Sequence, residues 1–357
     1  MGEDRFEQLL QLLPEGWEAK AKELGALQRA REIKTAEGLL RMILLYLTEG
    51  RSFAGTCALL ELSGEAKLSK VAVCKRMRNS AQWLQWLCEH IYRGMGLIVE
   101  KPQWLKKRNV ILVDGTEDVK CGVRRQCYVL HYSLDLFTLS AKELLVTDIK
   151  TGEKLVNFKQ VGKGDIVIGD RAYGTLSGIA YLQQRKAGYV LRIGSRSFSL
   201  YNGKGQKIDL FERLSSLKEG KTADITAQCS INGQYEPIRI CALRKDADSE
   251  RRGLQRLKKE NQRKQGGKPV SELQRESNKY ILVATSLEEK EIPSAQVLEL
   301  YRLRWQIEIA FKQLKSLFQY NDLPANHSES VRAWFYGKLL LAALCETLVN
   351  TGRFSPS

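Results

Sequence analysis

Histidine is scarce, with three in 357 residues at positions 90, 131 and 327. His90 falls in a helix-like stretch, His131 in a strand-like one and His327 beyond the last motif helix, so they read as structural and exclude a centre built on histidine. The eight cysteines stand singly in apolar or amphipathic surroundings, apart from Cys121 and Cys127, whose spacing fits no common zinc pattern. They read as reduced thiols. No apolar run approaches the ~20 residues needed to cross a bilayer; the longest, Leu339 to Cys345, has the size of a core helix. The start, Met1-Gly2-Glu3-Asp4-Arg5, is charged and has no apolar segment, which argues against a secretion signal and for a cytoplasmic protein. Internal repeats are missing, and one charged stretch is the only biased tract.

Acidic residues are also in deficit. Against 57 Lys and Arg there are 41 Asp and Glu, a net charge of +16. A surface with this much positive potential points first to nucleic acid and second to an anionic membrane, which the missing apolar span makes the weaker reading. With 43% apolar residues the chain can build substantial cores, as two domains or as one large domain with an insertion.

Residues 1–105 show only helical periodicity, in Phe6–Leu13, Leu39–Leu47 and Trp83–Ile91, and predict an all-α N-terminal domain. Ser69 is placed to cap a helix over Lys70–Leu87 whose first turns carry Lys70, Lys75, Arg76 and Arg78. A helix entering the major groove of DNA is dressed this way, and so is the solvated face of a bundle helix. From residue 106 to 357 the pattern is α/β. Strands are predicted at Asn109–Asp114, Cys127–Ser133, Glu143–Asp148, Asp165–Asp170, Tyr189–Ile193 and Tyr280–Thr285. Helices are predicted at Ser177–Lys186 and from Ser294 to Phe318. Three antiparallel-looking strands followed by strand–helix–strand units give a mixed sheet with flanking helices. A β-rich basic insertion at about 198–277 interrupts it, ending in Arg251–Lys268, where eight basic residues accompany one acid, Glu260. That stretch reads as a solvated helix or flexible loop, or equally as a segment that grips a phosphate backbone.

Asp114 closes the run Asn109-Val-Ile-Leu-Val-Asp114, and Asp170 closes Asp165-Ile-Val-Ile-Gly-Asp170. A carboxylate at the end of a buried strand is costly unless it starts a turn or binds a divalent cation, so each alone is ambiguous. A third acid comes from the last helix. At ~100° per residue, Tyr301, Arg304, Glu308, Lys312 and Lys315 share one stripe, while Leu303, Ile307, Ala310, Leu314 and Leu317 form an adjacent packing face. Trp305 lies toward the polar stripe, where it can stack on a nucleobase or pack at the helix edge.

These residues resemble a known family. Asp114 in Val-Asp-Gly-Thr, Asp170 in Gly-Asp-Arg-Ala-Tyr-Gly, and a Tyr–x2–Arg–x3–Glu–x6–Lys signature filled by Tyr301, Arg304, Glu308 and Lys315 are similar to the DDE transposases of the insertion-sequence-four group. The likeness covers roughly residues 30 to 345, and the four-residue signature in order behind both aspartates is its specific part. It implies a ribonuclease H-like fold in which Asp114, Asp170 and Glu308 hold two Mg²⁺ ions, with Mn²⁺ as the substitute. The ions would activate water or a 3′-hydroxyl for in-line attack on phosphorus and stabilise the leaving oxygen. The likeness further implies that Tyr301, Arg304 and Lys315 contact phosphates near the cut end. Trp305 would stack on a base during a hairpin step, and Lys312 and Arg171 would add phosphate contacts. The partners implied are the element's double-stranded ends and target DNA, bound by a homodimer.

The chain stops at Ser357, sooner than the chains it resembles, so a shortened copy that binds DNA without cutting it is the alternative. A non-catalytic regulator would not need three acids set against a basic stripe. A nucleotide-binding oxidoreductase fits poorly, because Gly162-Lys-Gly164 lacks a third glycine and precedes its strand.

Overall fold

The computed structural model describes residues 3–28, 31–48, 52–95, 100–105, 107–121, 126–138, 141–148, 150–194, 197–231, 233–264, 269–304, 322–323 and 328–350. By compactness the chain divides into two units. The first comprises Met1–Pro102, Gly115–Gly152 and Gln306–Ser357; the second comprises Gln103–Asp114 and Glu153–Trp305.

The first unit opens with helices α1 (Glu3–Leu10), α2 (Trp17–Glu23), α3 (Ala36–Thr48), α4 (Phe53–Leu62), α5 (Lys70–Asn79) and α6 (Ala81–Gly94). Serine hydroxyls start two of them: Ser52 accepts the Gly55 N–H at 3.1 Å and Ser69 accepts the Ala72 N–H at 3.2 Å. The single helix expected over Lys70–Leu87 is two helices. Ser80 divides them, its hydroxyl bonding back to the Arg76 carbonyl at 2.7 Å and so competing with helix continuation. α12 (Ser328–Asn350) packs Trp334, Phe335, Leu339, Leu340 and Leu344 against α3, α5 and α6. Buried Lys338 on α12 donates to the Leu47 carbonyl at 2.7 Å, placing a cation at the C-terminal end of α3. Strands β2 (Gln126–Asp135) and β3 (Ala141–Asp148) form an antiparallel hairpin with a bulge at Ser133/Leu134. The outer end of β1 (Asn109–Cys121) pairs in parallel with the short β11 (Asp322–Leu323). Among the described residues no helix is long and apolar enough to cross a membrane.

The second unit is a sheet. The first half of β1, β4 (Asp165–Gly169) and β5 (Gly188–Arg192) run parallel. β10 (Tyr280–Thr285) follows antiparallel to β5, then β9 (Gln234–Arg244), β8 (Thr222–Ile231), β6 (Leu200–Tyr201) and β7 (Lys207–Ile208). The strands of the 198–277 segment thus extend the same sheet through the β9–β10 pairing. β1 does not stop at Asp114 as the sequence pattern suggests; it continues to Cys121, leaving Asp114 inside the strand, two residues past Leu112, where the pairing with β4 ends. Asp165 pins the start of this register, accepting the Asn109 side-chain N–H at 3.2 Å and the Gly162 amide at 2.8 Å.

Alternation sorts the strand residues by face. Ile111, Val113, Val167, Leu191, Leu282, Ile240 and Ala242 join one apolar core with Ile179 and Leu182 of α7 (Leu176–Gln184). Asp114, Asp170 and Arg192 have the opposite parity. The segment closes with α8 (Leu210–Leu214), α9 (Ala247–Lys264), α10 (Glu272–Asn278) and α11, helical over residues 294–304. The charged stretch is therefore mostly helix, in α9.

Candidate active site

The parallel register builds the centre of the site. β1 and β4 pair with a constant offset, Leu112 opposite Ile168, which sets Asp114 level with Asp170 two residues further along. β4 and β5 pair Gly169 with Leu191, which sets Asp170 level with Arg192. Adjacent strands lie about 4.8 Å apart, so the three side chains leave one face of the sheet in a row, at the carboxyl ends of the parallel strands. Both aspartates are partly buried.

The segment after Asp170 fixes its carboxylate. Oδ1 accepts the Ala172 amide at 2.8 Å, and the Asp170 carbonyl accepts the amides of Tyr173 and Gly174. This tight turn runs so close to β5 that a Cβ on Gly174 would fall 2.0 Å from the Arg192 carbonyl oxygen, so only glycine fits. Thr175 then caps α7, accepting the Gly178 amide at 3.1 Å. Within the turn the Tyr173 hydroxyl is buried, with no hydrogen-bond partner among the described residues. Burial raises its pKa well above that of a free phenol; the charges of Asp114, Glu153 and Asp170 push the same way, and Arg304 opposes them. Tyr173 is thus a neutral donor in the field of both aspartates.

α11 supplies the basic side. Arg239, itself buried, grips Asp224 with its Nε at 2.9 and 3.0 Å and donates through Nη1 to the carbonyls of Leu287 and Ile292, at 2.7 and 2.8 Å. These bonds fix the turn from which α11 starts. One helical turn apart, Tyr301 and Arg304 are only 6% and 3% exposed, with the guanidinium 5.0 Å over the phenol ring and Nη2 3.3 Å from its hydroxyl. Arg304 acts electrostatically on Tyr173, and Arg171 interacts with Tyr301 and Asp170, so these side chains share one neighbourhood. Arg171 is itself exposed.

Asp114, Asp170, Arg171, Tyr301 and Arg304 are therefore brought together. Trp305, Glu308, Lys312 and Lys315 lie outside the described residues. Among the described residues no group of three His, Cys, Asp or Glu side chains could hold a metal ion. Aligned carboxylates such as Asp114 and Asp170 are hard oxygen donors of the kind that a divalent cation favours.

Two residues that flank the aspartates escaped the sequence reading, Tyr173 and Arg192. Tyr173 stands inside the quoted Gly-Asp-Arg-Ala-Tyr-Gly motif, so a signal was present. Arg192 ends a predicted strand, and only the β4–β5 register sets it beside Asp170.

Comparison with known proteins identifies the family. The family model described as "Transposase DDE domain" matches residues 105–344. InsL of insertion sequence element IS186A from Escherichia coli (strain K12) is 33% identical over 343 residues, covering 94% of this chain and 91% of that protein. The transposase for insertion sequence element IS421 from Escherichia coli is also 33% identical, over 344 residues and the same shares of each chain. The transposase for IS231C from Bacillus thuringiensis subsp. berliner is 28% identical over 200 residues, 52% of this chain and 41% of its own. Like other members, which cut and rejoin DNA with divalent metal ions, the chain belongs to the DDE transposase family.

Proposed function

We propose that this protein is the transposase of an insertion sequence, excising the element at its ends and joining it to target DNA as a homodimer on the bacterial nucleoid. The observation that carries the reading is the level placement of Asp114 and Asp170 on adjacent parallel strands, with the Tyr301–Arg304 pair close by. In this proposal Asp114, Asp170 and Glu308 hold two Mg²⁺ ions, for which Mn²⁺ substitutes. Ions held by these carboxylates would supply Lewis-acid stabilisation of charge on the attacking and leaving oxygens.

The protein's own groups orient the substrate. The turn after Asp170 holds its carboxylate through the Ala172 amide, so the site meets DNA already shaped. Arg304 is pre-positioned by the Tyr301 ring and its hydroxyl, so less side-chain freedom is lost when a phosphate is gripped. Lys315, Lys312 and Arg171 extend the phosphate contacts, and Trp305 stacks on a base unpaired during a hairpin step. The helical domain at 1–105 binds the element ends, with the basic α5 facing DNA. The domain at 106–357, with its insertion at about 198–277, carries the chemistry.

The test is cleavage of a duplex bearing the element's own flanking ends, with and without Mg²⁺, comparing the wild type with Glu308→Gln. Metal-dependent nicking and a hairpin product, both lost in the variant while end binding persists, are the expected result. Binding without cleavage by the wild type would reject the catalytic reading in favour of a DNA-binding copy.

A further inference from the structure

The Arg239 guanidinium joins parts of the second unit that are distant in sequence. Its strand, β9, lies between β8 and β10, and Arg239 stands level with Thr285, the last residue of β10. On the β8 side Nε donates to both carboxylate oxygens of Asp224, at 2.9 and 3.0 Å, and Nη2 donates to the same group. Nη1 donates to the Leu287 and Ile292 carbonyls, at 2.7 and 2.8 Å. Both side chains of the ion pair are largely buried.

Leu287 and Ile292 bracket the loop 286–293 that leads from β10 into α11. β5 holds the start of this loop: the Tyr189 N–H donates to the Ser286 hydroxyl at 3.0 Å, and the Thr285 hydroxyl donates to the Tyr189 carbonyl at 2.8 Å. Near its end the exposed Arg108–Glu291 pair, at 2.6 Å, contributes little in water. Arg239 bonds to both ends and so closes the loop with one side chain. The Pro293 carbonyl then accepts the amides of Gln296 and Val297 as α11 begins. An α-helix is stiff over a few turns, so a slide or rotation at its start is carried to Tyr301 and Arg304.

We propose that the Arg239–Asp224 pair is a positioning device for the reaction: through the loop it sets the depth and rotation of α11, and with them the place of Arg304 beside the aspartates. This rests on the reading that the chain cuts DNA at those aspartates. Stability alone is a weak reason for such a pair, since apolar residues of similar volume often serve a fold as well. What apolar residues lack is the donors for the two loop carbonyls. A guanidinium presents a fork to the carboxylate and keeps further donors in fixed directions, whereas the lysine ammonium is a single point that can keep the charge pair without the whole span. The 198–277 segment, which supplies Asp224 and Arg239, thereby acts on the chemistry without touching substrate.

The test compares the full-length wild type with Arg239→Lys, Arg304→Gln and the Arg239→Lys/Arg304→Gln double variant, all held below their melting temperatures. Single-turnover cleavage of an end-bearing duplex in Mg²⁺ should fall about tenfold to a hundredfold in Arg239→Lys, the loss that a displacement of about 1 Å brings, while DNA affinity read by anisotropy stays within about twofold. In the Arg304→Gln background the same lysine substitution should cost less than about threefold, because the group it positions is gone. A merely structural role lowers the rate by the same factor in both backgrounds, and that result overturns the proposal. Hydrogen exchange of the free protein, read by mass spectrometry, gives an answer without DNA: amides of residues 287–304 should exchange faster in Arg239→Lys and those of β1 and β4 should not. Unchanged exchange over 287–304, or equal acceleration throughout the sheet, overturns the proposal as well. Should Arg239→Lys fail to fold, Asp224→Asn, which keeps the arginine, takes its place in the same comparison with the same outcomes. A wild type that cuts no DNA rejects the proposed catalysis, and the exchange pattern alone then decides the clamp.

Discussion

Replacing Tyr173 by phenylalanine removes one oxygen from the interior of the second unit and should make the protein more stable and less active. The hydroxyl is buried beside Asp114 and Asp170 with no hydrogen-bond partner among the described residues. Leaving a buried polar group unsatisfied costs roughly 1–3 kcal/mol, part of which is offset here by the favourable field of two carboxylates on a phenolic donor. Phenylalanine keeps the ring in the core it shares with Phe158, whose centroid lies 6.0 Å away, so packing is conserved. The net gain should be about 1 kcal/mol, or roughly 2–4 °C in the melting temperature of a unit of this size. In the proposed complex the hydroxyl donates to an oxygen of the bound DNA. Losing that bond would remove about 1 kcal/mol of stabilisation, a single-turnover cleavage rate lower by roughly fivefold. Calorimetry of the free protein and rapid-quench cleavage of an end-bearing duplex give the two numbers. A Tyr173→Phe variant that melts several degrees lower would show that the hydroxyl is already satisfied in the free fold, and the argument fails.

Other perturbations reach other parts of the molecule. His131 is buried on β2, 2.8 Å from the Thr147 hydroxyl, and burial lowers its pKa to about 4. The unfolded chain takes up its proton near 6.5 and the folded one does not, so stability should be full above pH 6.5 and fall by roughly 3 kcal/mol by pH 4. Urea titrations should show that slope, and His131→Gln should flatten it. Gly174→Ala forces a Cβ against the Arg192 carbonyl, so the Asp170 turn must move; about 1–3 kcal/mol of stability and most cleavage should be lost, measured on the same preparation. A variant that cuts normally would mean that the turn yields without shifting Asp170. Replacing Arg256, Lys259 and Arg263 of α9 by glutamine should make the salt dependence of DNA binding shallower, and an unchanged slope would remove this helix from the interface.

Local patterns carried most of the elements. Val110–Val113 and Ile166–Gly169 are short unbroken apolar runs, and runs of that kind mark strands buried on both faces, which is how β4 and this part of β1 are placed. Ser69 was legible as a cap because a hydroxyl before a helix satisfies an otherwise unpaired amide, a relation that needs no tertiary information. Ser80 was not, because the helical periodicity runs through it. Its role depends on whether the hydroxyl turns back to Arg76 or outward, and a sequence leaves both open. The continuation of β1 past Asp114 was hidden for a related reason. Gly115 and the polar residues after it look like a turn, and their pairing with β11 joins positions some 200 residues apart, as Lys120 with Asp322.

The site divides along the same line. Asp114 and Asp170, each ambiguous alone at the end of an apolar run, and Tyr301 and Arg304, one helical turn apart, could be picked out because together they match the family's motifs. What spacing could not supply was depth. On a helical wheel Tyr301 and Arg304 belong to a polar stripe, yet both are buried, since Arg239 clamps the turn before α11 and so sets which face of the helix turns inward. Arg192 shows the limit most clearly. In sequence it is a basic residue closing a strand, one of 57 lysines and arginines. Only the offsets of two parallel pairings, β1 with β4 and β4 with β5, turn it into the third member of a row that begins with two aspartates. Chemistry that depends on neighbouring strands is written in register, and register is fixed by contacts such as Asp165 with Asn109 that no single run of sequence contains.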